Sequence, residues 1–400
     1  MTQTVTLLLI YALAGLSLVV GTGGVYLALI RSLPTTWLYY HYFARKPVTW
    51  VLLGVGTALA VWAVFDGILT PPQLVAPLLL LALGLLLAHR LHQESVFVAI
   101  DFPPMAENPR ALPLDEASEL ALIEHGSTSR AYPLDFVIHH HVLNDRLGDR
   151  IISLTYCAMC RTVMAFDVTE LGPLFVGSFK NANMIVADRR TKTFFQQATC
   201  ESIIGPRHPH SLELIPSQIL TWSDVLQLVP MPQVADVKER DLVPFELPLP
   251  GLWRRITSGE ATPGLPSAAR DKRFSARTRV IGIMDPAVDE EAYLKRDVLA
   301  GGVVGAAGGR VALVGVRGTV NAFRTHIDGH DLALRLSEDR ARIEDDNGNG
   351  SWDLRGHPLG ETPYPLQPVA ITDEYWFSWR LFHPEAPFVR LGGTPGAQQA

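Results

Sequence analysis

The stretch "ISLTYCAMCRTVMAF", Ile152 to Phe166, holds two of the three cysteines in the chain, Cys157 and Cys160. On either side of them, "DRIISLTY" and "RTVMAFDV" alternate apolar and polar residues, the period of a half-buried strand. Ala158 and Met159 then form the tip of a tight turn. A second run, "GRVALVGV" followed by "TVNAFRTHI", repeats the pattern near residue 315 without thiols. Two strand–turn–strand units so far apart in one chain raise the question of a repeat, which settles architecture before anything else.

Other anchors recur in the same order. Ala131-Tyr132 matches Ala292-Tyr293, Phe166 matches Phe323 and Asp188 matches Asp346. Gly205 then matches Gly360, Trp222 matches Trp376 and Pro230 matches Pro384. The pattern predicts a β-rich, α+β body built as two degenerate copies of one domain. The first lobe runs over 95–228 and the second over 274–400. Between them, 229–273 is punctuated by Pro230, Pro232, Pro244, Pro248, Pro250, Pro263 and Pro266, and reads as an extended connector. "SDVLQLV" and "FSWRLF" read as short closing helices, each behind a tryptophan. Anchored on the two phenylalanines, Cys157 falls on Val314 and Cys160 on Arg317. The scaffold is kept in the second copy and the polar set is lost.

Residues 1–94 differ in kind. Thr4 to Ile30 carries no charge, and further apolar runs span about Pro47 to Phe65 and Leu69 to Ala88. About 20 apolar residues cross a bilayer core, so this part reads as an anchor of three transmembrane helices. Tyr39, Tyr40, Tyr42 and Trp50 suit the bilayer interface. The loop "RSLPTTWLYYHYFARKP" holds Arg31, Arg45 and Lys46, which leans the loop, and with it the body, toward the cytoplasm of a cytoplasmic membrane.

The chain has net charge −6, and its anchor is slightly basic, so the body is mildly acidic with no basic stripe. That excludes the usual footprint of nucleic-acid binding and leaves the lipid bilayer as the partner read directly. Three cysteines do not make a disulfide scaffold. A Cys-x-x-Cys in a β-turn is a common half of a metal site, because both thiolates can face one ion. The neighbouring "IHHHVLND" offers His139, His140 and His141, of which His140 is the preferred third ligand. Met159 and Met164 add soft sulfur that suits copper(I), with zinc equally open. The rival readings are a thiol redox pair, which needs a lowered thiol pKa, and a structural turn. "DDNGNGSWD" places Asp345, Asn347, Asn349 and Gly350 as in a calcium loop but has Gly356 where glutamate is wanted, so an Asn-Gly hairpin turn is favoured. His208 and His210 in "RHPHS" read as a solvated loop.

"SRAYPLDFVIHHHVLNDRLGDRIISLTYCAMCRTVMAFD" resembles the family of domain of unknown function 3179. Arg130 to Leu134, His140, Asn144, Asp145, Thr155, Tyr156, Cys157, Cys160 and Phe166 match its pattern. "MIVADRRTKTFFQQATCESIIGP" and "TWSDVLQLVP" are similar to its later segments. His141 replaces a glutamate, Ala158-Met159 replaces Pro-Leu, and Cys200 stands where glycine is usual. The resemblance brings no activity. It implies an exported or lipid-anchored protein, against the basic-residue count. It also adds Asn144, Asp145 and Tyr156 as companions of a site formed by His140, Cys157 and Cys160. Three functions remain: a metal-binding module, a thiol–disulfide protein using Cys157 and Cys160, or a non-catalytic scaffold for other membrane-protein subunits.

Overall fold

The computed structural model describes residues 2–126, 128–229, 231–242, 251, 255, 262, 264–265, 271 and 273–391. Of the prolines read as connector, Pro230, Pro244, Pro248, Pro250, Pro263 and Pro266 lie outside the described residues.

Three N-terminal helices, α1 (Gln3–Leu29), α2 (Thr36–Phe65) and α3 (Pro71–Arg90), are each long and apolar enough to cross a membrane. α1 and α3 meet through small residues, Ser17 and Gly21 against Gly84 and Ala88, all buried. A Cβ on Gly21 would overlap the Gly84 carbonyl, and a Cβ on Gly84 would overlap Ser17. Such stripes let backbones approach where apolar burial provides no drive between helices.

One boundary differs from the sequence reading. α2 starts at Thr36, so Arg45 and Lys46 lie in the helix and not in a loop. The reason is packing. Leu38, Tyr39 and Tyr42 join Phe175 and Phe194 in a shared cluster. Arg45 is 2% exposed, pairs with Glu94 at 3.2 Å and donates to the Ala88 carbonyl at 3.2 Å. A charge buried this way is structural and speaks weakly about membrane side. Tyr39 and Tyr42 likewise serve packing, while Trp37, Tyr40 and Trp50 are exposed at the rim.

The rest of the chain is β-rich with several sheets. In its first half β1 (Glu119–His125) and β2 (Thr128–Pro133) form a hairpin. α4 (Leu134–His140) follows, then a meander of β3 (Val142–Leu147), β4 (Arg150–Cys157) and β5 (Thr162–Asp167). β6 (Leu174–Lys180), β7 (Asn183–Asp188) and β8 (Phe194–Gln196) make a further sheet. β9 (Gln218–Thr221) pairs antiparallel with β1 and runs into α5 (Trp222–Leu228).

In the second half β10 (Arg279–Ile283) pairs with β11 (Ala292–Leu294), followed by α6 (Lys295–Gly301). Next come β12 (Val303–Ala306), β13 (Val311–Val316) and β14 (Thr319–Arg324), again a meander. A small four-stranded sheet covers 334–359. β15 (Ile371–Tyr375) then pairs antiparallel with β10 and runs into α7 (Trp376–Phe382).

Two sets of contacts position the site. The Lys180 side chain, 2% exposed, donates to the carbonyls of Leu27 and Ile30 at 2.6 Å each. These carbonyls close α1, where orphan acceptors and the helix dipole favour a cation, so the body is pinned to the helices. The two halves of the body are pinned to each other as well. The Tyr375 amide donates to the Cys160 carbonyl at 3.0 Å, and the Ile219 amide donates to Asn321 Oδ1 at 3.1 Å.

Candidate functional site

Strand alternation divides the residues around the turn. Ile152, Leu154 and Tyr156 point into one core with Val163 and Ala165. Cys157 points into the other, with Cys160, Met164, Phe166, Met184, Phe195 and Cys200. Cys157 pairs with Thr162 across the hairpin, so Ala158 to Arg161 form the turn, closed by Arg161 at φ +61°.

All three cysteines are free thiols and buried, Cys157 at 1% and Cys160 at 0% exposure. Cys160 Sγ lies 3.0 Å from Thr162 Oγ1 and accepts from Asn183 Nδ2 at 3.1 Å. Burial pushes both thiols up. At Cys157 the hydrogen bond from the Cys160 thiol and the amides of Cys160, Met184 and Met159 outweigh burial and hold the group below the usual thiol range. At Cys160 burial, the bond it gives to Cys157 and the charge on Cys157 push the thiol well above that range. Of the two thiols, Cys157 is therefore the one that ionises first. Burial pushes Cys200 up to about 12, leaving it inert.

A polar frame surrounds this pair inside an apolar core. Gln197, fully buried, donates to Thr155 Oγ1 at 2.9 Å and to the Thr162 carbonyl at 3.1 Å, and accepts from Asn183 Nδ2 at 3.2 Å. From the second half, the Glu374 carboxyl accepts from Thr372 Oγ1 at 2.9 Å and from Thr162 Oγ1 at 3.5 Å. Glu374 is 1% exposed, and burial raises its pKa against the opposing His383, Ser378, Thr372 and Thr162.

The residues expected at the site are only partly brought together. His140 Nδ1 lies 3.0 Å from the Val98 carbonyl, with its ring against Phe136. Burial lowers its pKa. His141 caps α4 at φ +65°, stacks on Phe97 at 4.1 Å and is pushed down to about 3 by burial. Among the described residues no three His, Cys, Asp or Glu side chains converge as a metal set.

Asn144 faces Ser153 across the sheet, four residues along β4 from Cys157, or about 13 Å at strand rise. It donates to Asp101 at 2.7 Å and the Leu174 carbonyl at 2.9 Å, and accepts from the Leu174 amide at 2.9 Å. Asp145 accepts from Arg130 at 2.7 Å and Tyr132 at 2.8 Å. Both lock strands together.

Tyr156 lies across the sheet from the thiols. It lines a cleft of about 330 Å³ with Glu119, Asp135, Arg161, Arg317 and Thr319, in which Arg161 pairs with Glu119 at 2.6 Å. Asp345 is taken up by local donors, Asn349 and the Ala333 amide at 2.6 Å, in the turn between 343–345 and 351–352. In the "RHPHS" loop, His208 Nδ1 lies 3.0 Å from Ser202 Oγ.

Thr162, Asn183, Gln197 and Glu374 are the residues that sequence reasoning passes over. Their signal is that each is polar within an apolar strand or its end, where such a group is costly unless partnered.

The chain matches the family "Protein of unknown function (DUF3179)" over residues 97–386, and it belongs to that family. No curated protein and no solved structure matches it.

Proposed function

We propose that this is a membrane-anchored thiol–disulfide protein whose redox couple is Cys157 and Cys160. The observation that carries the reading is the pair of buried free thiols at one turn, with hydrogen bonds converging on Cys157. The Cys160 thiol donates to a Cys157 sulfur that also receives three backbone amides, the arrangement that makes one thiol of a pair nucleophilic. In the step proposed, the Cys157 thiolate attacks one sulfur of a partner disulfide and expels the other as a thiolate. Cys160 then loses its proton and attacks Cys157 Sγ, releasing the second partner thiolate. Two electrons pass to the partner, and the protein is left with a Cys157–Cys160 disulfide. The turn from Ala158 to Arg161 lies next to both thiols in the chain, and it is the element proposed to move aside.

The proposal extends to the body as two degenerate lobes, 95–228 and 274–400, joined by 229–273, with the couple in the first lobe alone. In support, β1-β2-α4-β3-β4-β5 and β10-β11-α6-β12-β13-β14 follow the same order. Each lobe also closes with a strand returning to its first strand, ahead of a helix that begins with tryptophan. Cys157 pairs with Thr162 as Val316 pairs with Thr319. On this register Val316 would stand at the Cys157 position, where the sequence alignment put Val314. The first turn is two residues longer, and Cys160 lies within the longer turn.

The test is equilibration of the purified protein in thiol–disulfide buffers of graded potential, followed by alkylation and mass spectrometry. A reversible loss of two protons at Cys157 and Cys160, with Cys200 unchanged, is expected. Full alkylation of both at every potential overturns the reading.

A second reading is a soft monovalent ion such as copper(I), held by the two thiolates. It is favoured by Met164, Met184 and the partly buried Met159 in the same cluster. Stoichiometric copper(I) retention by the parent and its loss in Cys157→Ser/Cys160→Ser would select it. A non-catalytic scaffold would keep its partner subunits through both cysteine changes.

A further inference from the structure

The couple proposed above leaves one step without a base. Cys160 is the thiol of the pair that ionises last, and it must lose its proton before it can attack Cys157 Sγ in the mixed disulfide. The thiol is fully buried, so water does not take the proton directly. One polar path leads away from it: Thr162 Oγ1 is 3.0 Å from Cys160 Sγ and 3.5 Å from Glu374 Oε2.

We infer that Glu374, reaching across from the second half of the body, is the proton acceptor for Cys160 and that the Thr162 hydroxyl is the relay between them. The inference rests on the redox reading of the thiol pair. The proton balance is simple. The Cys160 thiol passes its proton to Thr162 Oγ1 as Thr162 passes its own to Glu374 Oε2. Cys160 becomes a thiolate, Glu374 becomes a neutral acid, and Thr162 is unchanged. The Cys160 sulfur then forms its bond to Cys157 Sγ as the partner thiolate leaves. In the reverse direction Glu374 returns the proton.

Three features fit this role. The carboxyl is buried without an ion pair of its own. Its neighbours are the hydroxyls of Thr372, Thr162 and Ser378, with His383 as the nearest positive group. His383 is itself tied to Glu290 at 3.0 Å and to the Ala198 carbonyl at 3.2 Å. Burial lowers its pKa, but the Glu290 hydrogen bond and the charges of Glu374 and Glu290 raise it on balance. Glu290 is half exposed, and His383 acts on Glu374 through its charge alone. The other groups facing Cys160 are Cys157, Thr162 and the neutral side-chain amide of Asn183.

The adjacent Asp373 points away and is neutralised by Lys295 at 2.7 Å and by Arg279, so it does not compete. A structural carboxyl would be expected in that second arrangement, paired with cations. Glu374 is placed instead where its charge is least compensated, which makes it a stronger base. At the position of Glu374 relative to the closing tryptophan, the first half has Leu220, a buried apolar residue. The turn at 317–318 is met instead by Asp224, whose carboxylate is paired with Arg317, so the carboxyl without a cation is the one beside the thiols.

The experiment uses the full-length protein in detergent with oxidised glutathione as the disulfide probe. Closure of Cys157–Cys160 from the mixed disulfide is followed by acid quench and mass spectrometry from pH 5 to 9. In Glu374→Gln, closure is expected to slow at least tenfold near neutral pH, and the rate should regain the parent value only as pH approaches the thiol range. Thr162→Val should behave alike, and Thr162→Ser, which keeps the hydroxyl, should restore the parent profile. Equal rates and equal pH profiles in the parent and Glu374→Gln would overturn the relay while leaving the couple standing. No closure in the parent would overturn both. Parent-like thermal melting of Thr162→Ser and Glu374→Gln guards against simple misfolding.

Discussion

The two hairpin turns, Cys157–Thr162 and Val316–Thr319, each join two strands of a meander, by different means. The second has Arg317 and Gly318 between its last paired residues, Arg317 at φ +49° and Gly318 at φ +84°. It is a two-residue turn of the kind that needs positive φ at both positions, and the strand leading into it, Val311–Val316, is apolar on both faces. The first spends four residues on the same reversal and surrounds them with Thr155, Thr162, Asn183, Gln197 and Glu374. A hairpin needs none of these. On the redox reading proposed above, the polar frame serves the thiols and not the turn.

The sharpest way to break the comparison is to give the first turn the residue of the second. Cys157→Val is expected to abolish the reversible disulfide completely. It should change stability by under about 1 kcal/mol, because it exchanges one small buried group for another. Mass spectrometry after redox equilibration and urea denaturation followed by tryptophan fluorescence read the two effects. A loss of several kcal/mol would mean that the thiol is part of the scaffold after all.

A second change attacks the frame. Gln197→Leu removes three hydrogen bonds and leaves Thr155, Asn183 and the Thr162 carbonyl short of partners in a dry core. A cost of about 2–4 kcal/mol is expected, read from the same urea midpoint. A cost below about 1 kcal/mol would show that water or neighbouring groups replace the glutamine.

The smallest effect lies where the halves meet. His357 of the second half lies 3.0 Å from Glu124 of the first. The Glu124 hydrogen bond raises the His357 pKa. At Glu124 burial opposes, yet the His357 hydrogen bond and the charges of His357 and Arg355 lower the carboxyl. A raised histidine stabilises fully below its unfolded value near 6.5 and loses that contribution as pH rises through the folded value. A lowered carboxylate stabilises above its unfolded value near 4.5 and loses its contribution as pH falls through the folded value. The pair is therefore strongest between those limits. With His357 half exposed, His357→Ala should cost under about 1 kcal/mol near pH 5.5 and close to nothing above pH 8. Equal melting shifts at both pH values would break this assignment.

Much of the architecture is legible from residue order alone. Three apolar runs mark three helices, and period-two alternation marks β4, β5, β13 and β14, because burial on one face imposes that period. α2 is misread at its start for an equally physical reason. "TWLYYHYFARK" is polar and aromatic enough to pass for a loop, and it becomes helix only because Tyr42 and Arg45 find Phe175, Glu94 and Ala88. The site divides the same way. Cys157 and Cys160 are visible as a pair, but His140, Asn144 and Asp145 are near them only along the chain. β pairing turns Asn144 and Asp145 to strand-locking duties, and His140 to a backbone carbonyl.

By itself, then, the sequence determined what a local pattern can carry: the helices, the hairpin and the neighbouring thiols. The tertiary structure alone decided which groups face those thiols. Thr162, Asn183, Gln197 and Glu374 come from segments up to 217 residues from Cys157. Nothing in their own neighbourhoods marks them except a polar group in an apolar setting, and the partner that makes such a group tolerable is chosen by the packing of one half on the other.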